Sequence, residues 1–144
     1  MTAADAKAWL SRGFWLRQEK EQIIRLRSET FDRLTNITQT LSDMPSGGTK
    51  DPHRYDALAE LDVELAEKEA EIDRARLEIY NAVRKVKENR LRVVLIARYC
   101  ECMSWPEIQA VMHYHERQVY RLHGKALEQI APIIEKKKKT GCLD

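Results

Sequence analysis

Leu16, Ile23, Leu34, Ile37, Leu41 and Met44 fall on one series of three- and four-residue steps, interrupted by the polar Lys20, Arg27 and Thr30. That spacing predicts one long helix. It stops at SDMPSGGTKDP, where Pro45, Gly47, Gly48 and Pro52 disfavour continuation and supply the permissive backbone of a reversal at about 45–53. A second, cleaner series follows in Leu58, Leu61, Leu65, Ile72, Ala75, Ile79, Ala82 and Val86, which keeps heptad spacing with Lys68 alone out of place. Two long helices packed antiparallel, a coiled-coil hairpin over residues 1–88, are therefore expected. At about 1.5 Å per residue each arm would run on the order of 45 to 60 Å, too thin for a globular core of its own. The hairpin reads as an arm, or as half of a homodimer.

The pattern then shortens. After Asn89, placed to cap a helix, Leu91, Val94, Leu95 and Tyr99 mark one face of a third helix. SWPE at 104–107 has the form of a capping box with Pro106 in the first turn, and predicts a fourth helix with Ile108 and Val111 facing inward. Only a His-Tyr-His step separates it from a fifth, which opens near His115. Val119, Leu122 and Ala126 take its inner side, leaving Glu116, Arg117, Gln118, Tyr120, Arg121, His123 and Lys125 outside. Pro132 is expected to end or kink this helix, with a basic flexible tail over 136–144. A reversal this tight supports one helix from behind and leaves its outer face free, an arrangement suited to a DNA groove. The fold class is thus all-α, with a helix-turn-helix domain at 89–135 behind the hairpin.

Composition narrows the possibilities. Five glycines and four prolines in 144 residues are too few for an all-β or loop-rich chain. No run of eighteen apolar residues and no secretory signal is legible, so a soluble, cytoplasmic protein without a membrane partner is expected. The net charge of +2 hides an asymmetry: residues 1–88 hold 15 Lys and Arg against 17 Asp and Glu, whereas 89–144 hold 10 against 6. Basic excess around the tight helical pair is what attraction to phosphate requires. The acidic run from Glu60 through Asp73 would repel nucleic acid, and suits either a solvated helix or a protein partner.

The segment VVLIARYCECMSWPEIQAVMHYHERQVYRLHGKALEQI resembles the helix-turn-helix of sigma factor region 4. Its placement behind a helical hairpin is similar to the ArpU/RinA-type phage transcriptional regulators. The likeness is specific over about 91–130 and architectural before that. Three positions depart from the pattern: Cys102 and His113 stand where turns commonly hold glycine, and His115 where Ser or Thr commonly caps the recognition helix. The resemblance implies a sequence-specific, nucleoid-associated regulator of double-stranded DNA in a bacterial host cell, with recognition helix at about 116–130 and RNA polymerase as a further partner. Arg117 and Arg121 suit a guanine edge, Gln118 an adenine, and Tyr120 a phosphate or thymine methyl. Arg98, Lys125, Lys136 and Lys137 suit phosphate. The alternative is a phage packaging protein of small-terminase type, or a scaffold, assembled through its coiled coil.

Other signals are weak. Cys100, Cys102, His113, His115 and His123 cluster in sequence, but C-x-C and H-x-H match no usual zinc spacing, and no metal or other cofactor is expected. No phosphate loop, nucleophile elbow or metalloprotease pair is present to suggest an enzyme. Asn36-Ile37-Thr38 matches a glycosylation acceptor inside an expected helix. Trp9, Phe14 and Trp15 form an apolar cluster near the amino end that is expected to pack against a partner helix.

Overall fold

The computed structural model describes residues 1–42 and 52–140, with side chains at 1–36 and 52–140. Every regular element among them is helical: α1 (Ala3–Leu10), α2 (Arg12–Ser42), α3 (Asp56–Val83), α4 (Asn89–Leu95), a π-helical turn (Ile96–Cys100), α5 (Trp105–Met112) and α6 (Glu116–Lys139). No helix among the described residues is long and apolar enough to cross a membrane. The reversal expected at 45–53 lies largely outside them, as do Ile37, Leu41 and Met44 for their side chains.

The chain divides into two compact units, one of Met1–Trp15 with Asp73–Asp144 and one of Leu16–Ile72. In the second, Glu19 pairs with Lys68 at 2.8 Å, Arg27 with Asp62, and the Leu34 carbonyl accepts from the Arg54 guanidinium at 2.7 Å. Partners fall along α3 as numbers rise along α2, so the two helices run antiparallel here. Lys68, the residue out of place in the heptad, is only 15% exposed and also lies 3.6 Å from Glu71. Its hydrogen bond to Glu19 raises its pKa. The acidic run is thus partly neutralised within this unit, since Asp62, Glu69 and Glu71 all have cationic partners.

The expected boundary at 88 does not hold. Leu10 from α1, Ile79 and Val83 from α3, Leu91, Val94 and Leu95 from α4, and Ile130 and Ile134 from α6 share one core. Helix α1 exists because Thr2 and Asp5 form a capping box: Thr2 Oγ1 accepts from the Asp5 N–H at 3.2 Å, and Asp5 Oδ2 accepts from the Thr2 N–H at 3.0 Å. It buries Ala6, Trp9 and Leu10. Ser11 interrupts the helical run before α2 begins. Of the aromatic cluster near the amino end, Trp9 alone is buried, while Phe14 and Trp15 are 41% and 62% exposed.

Two further expectations are corrected. Glu88, not Asn89, occupies the cap of α4. Pro132 lies within α6, which continues to Lys139. Proline removes one hydrogen bond and crowds the preceding turn, but Pro132 itself is exposed and buried Ile130, Ala131 and Ile134 hold the opposite face. Lys136 to Lys139 are accordingly helical rather than a flexible tail.

Candidate nucleic-acid interface

The junction from the π-helical turn to α6 is built on two left-handed residues. Cys102 (φ 54°) and His113 (φ 58°) are the positive-φ non-glycine residues among those described, at the positions where the sequence departs from glycine. His113 closes α5, and its N–H donates to the Gln109 carbonyl. At the start of α5 the Ser104 hydroxyl accepts from the Glu107 N–H at 3.4 Å while the Glu107 carboxylate accepts from the Ser104 N–H at 3.3 Å. This is the expected capping box.

Ala97, Ile108 and Val119 form a small separate core between the π-helical turn, α5 and α6. Val111, expected to face inward, is 57% exposed. Helix α6 buries Val119, Leu122 and Ala126 as expected, but His123 joins them at 8% exposure. Its Nε2 lies 2.6 Å from the Tyr99 hydroxyl. Burial, then the positive charges of Lys7 and Arg98, lower its pKa from 6.5 to about 4, and burial pushes Tyr99 up to about 12. Both groups are uncharged at neutral pH. The spacing held this signal, since residue 123 lies four after Val119 and three before Ala126, on the inner side.

The Trp105 ring meets His123 edge-on at 4.8 Å and Tyr120 at 5.1 Å between centroids. The Arg98 guanidinium lies 4.5 Å from its centroid and donates to the Met103 carbonyl at 2.9 Å. Arg98 therefore braces the bend into α5 and is not held out for phosphate. Tyr120 stays 43% exposed beside Trp105, its pKa raised by burial and then by Glu116.

Among the remaining expected contacts, Arg117, Arg121 and Lys125 are exposed and follow one another at four-residue steps along one stripe of α6. They make no side-chain hydrogen bond or ion pair to any described residue. Gln118 is also exposed, but its amide oxygen accepts from the His115 N–H at 3.1 Å. It helps cap α6, so a two-point contact to adenine would cost that bond. Lys136 is exposed, whereas half-buried Lys137 sits 5.8 Å from the Trp9 ring centroid and donates to the Glu78 carbonyl at 3.4 Å. Lys137 thus serves the fold. The basic character sharpens with the observed units: the one carrying this site holds 17 Lys and Arg against 10 Asp and Glu, while Leu16–Ile72 holds 8 against 13.

Among the described residues no group of three or more His, Cys, Asp or Glu is arranged to hold a metal ion. No protein-family model, curated protein or solved structure matches the chain.

Proposed function

We propose that the chain is a sequence-specific DNA-binding regulator that reads the major groove with the first turns of α6. One observation carries the reading: the Arg117, Arg121 and Lys125 stripe is exposed and unpaired on a helix whose opposite side packs on α5 through Ile108 and Val119. Unpaired guanidinium groups on a rigid helix suit fork-like contacts to guanine, and the basic excess of this unit suits the phosphate backbone. Lys136 is available for phosphate at the far end of the same helix. Regulation of phage or prophage type, and contact with RNA polymerase, rest on the sequence resemblance.

The test is selection from a randomised duplex pool, followed by affinity measurement on the selected and scrambled duplexes at several salt concentrations. Enrichment of one motif, with preference lost in Arg121→Ala, is the expected result. Binding that is equally tight to all duplexes, or undetectable, would overturn sequence-specific reading.

A further inference from the structure

Helix α3 carries a second apolar stripe that its own core does not use. Ile72, Ala75, Ile79 and Ala82 face inward, yet Leu77 and Tyr80 are 60% and 44% exposed. With Asp73 and Arg76 they stand at positions i, i+3, i+4 and i+7, the spacing of a single helix face. Ile96 and Cys100 of the π-helical turn complete a groove of about 460 Å³ beside them, rimmed at its end by Glu101. Val93, one helical turn before Ile96, is 45% exposed. Large apolar side chains left open together in this way mark an interaction surface.

The rim identifies the occupant. Asp73, Arg76 and Glu101 are exposed and make no side-chain hydrogen bond or ion pair to any described residue. They leave the groove with both signs of charge and a small negative excess, within a unit holding 17 basic against 10 acidic side chains. Nucleic acid is disfavoured there, and so is an acidic peptide. Two copies of the basic unit repel over most of their surfaces but not at this rim, where a twofold axis can set Arg76 of each copy against an acid of the other. An isologous contact needs a patch that is complementary to itself, and an apolar groove bordered by opposite charges is one. We infer that the chain forms a homodimer through the Leu77, Tyr80 and Ile96 groove, with Arg76 and Glu101 exchanging partners across the axis. This places dimerisation in the basic unit rather than in the arms of α2 and α3, and it does not depend on DNA binding.

Sedimentation equilibrium on the full chain tests it, with circular dichroism confirming that each variant keeps its helicity. All the altered side chains are solvent-facing, so folding is expected to survive. Wild type should dimerise, Leu77→Asp should weaken association at least about tenfold by placing a charge in the seam, and Arg76→Glu or Glu101→Arg alone should weaken it. Arg76→Glu combined with Glu101→Arg should recover association, because the swapped pair is again complementary. A monomeric wild type overturns the inference and leaves the groove to a partner of another kind. Dimers that ignore Leu77→Asp, or a double variant no better than either single one, overturn it as well.

Discussion

The Tyr99 hydroxyl and His123 Nε2, 2.6 Å apart and buried, tie the π-helical turn to the middle of α6. Neither element is held to the other by charge, since both groups are uncharged at neutral pH. Removing one partner leaves the other buried without its hydrogen bond. Tyr99→Phe should therefore lower unfolding free energy by about 1 to 3 kcal/mol. Urea denaturation at pH 7 checks this, and a loss within error of zero would mean that water or another group satisfies His123.

The same histidine makes stability depend on pH in a fixed direction. Between about 6.5 and 4 the unfolded chain takes up a proton at residue 123 that the folded chain refuses. Its contribution is fully present above 6.5 and falls with acidification at up to about 1.4 kcal/mol per pH unit until about 4. His123→Gln retains hydrogen-bonding atoms and cannot titrate. The stability difference between wild type and His123→Gln should shrink as pH drops from 7 to 4.5. A gap that stays constant would show that His123 titrates normally in the fold.

Strain at the two turns gives a gain-of-stability prediction. His113 and Cys102 hold left-handed backbone that costs a side-chain-bearing residue about 1 kcal/mol, a cost glycine does not bear. His113→Gly should thus leave thermal stability unchanged or raised, and His113→Val should lower it by about 1 to 2 kcal/mol. Calorimetry on the pair decides. Equal melting temperatures for the two variants would refute the argument.

Two neighbouring lysines should separate fold from function. Lys137→Ala removes the Trp9 contact and the bond to the Glu78 carbonyl, and should cost about 0.5 to 1 kcal/mol of stability. Lys136→Ala should leave stability alone and flatten the salt dependence of DNA binding by about 0.9 in the log-log slope, the effect of one lost phosphate contact. If both variants alter only stability, Lys136 touches no phosphate.

Arg121→Ala should reduce affinity for a selected duplex by about 1 to 3 kcal/mol and relax preference at one base pair, with little effect on random DNA. The melting temperature should not move, because the side chain makes no described contact. A parallel loss on selected and scrambled duplexes would assign Arg121 to the backbone instead.

The helices were legible in the sequence wherever one face was continuously apolar, as along Leu58 to Ala82 and from Val119 to Ala126. The SWPE cap was legible for the same local reason. What escaped depended on contacts distant in sequence. Nothing near Trp9 says that it will lie beside Lys137, so the first fifteen residues read as the start of an arm. Arg98 and Lys137 looked like phosphate ligands because an aromatic ring and a carbonyl elsewhere in the chain claim them only after folding. Pro132 misled in the opposite way, since its local cost is outweighed by buried neighbours on the other side of the helix. His123 was readable from spacing, and its polarity hid it.

The Glu101 N–H reaches back five residues to the Ile96 carbonyl at 2.9 Å, where an ordinary turn would reach four. Such a turn is an α-helix carrying one extra residue. Shortening the chain by one position here would regularise the helix and swing everything after it through about 100°. The Tyr99 ring would leave His123, and Cys102 would enter its bend from the wrong side. This segment can therefore accept many substitutions but no change of length, and a one-residue deletion should uncouple α5 and α6 from the rest while each remains helical.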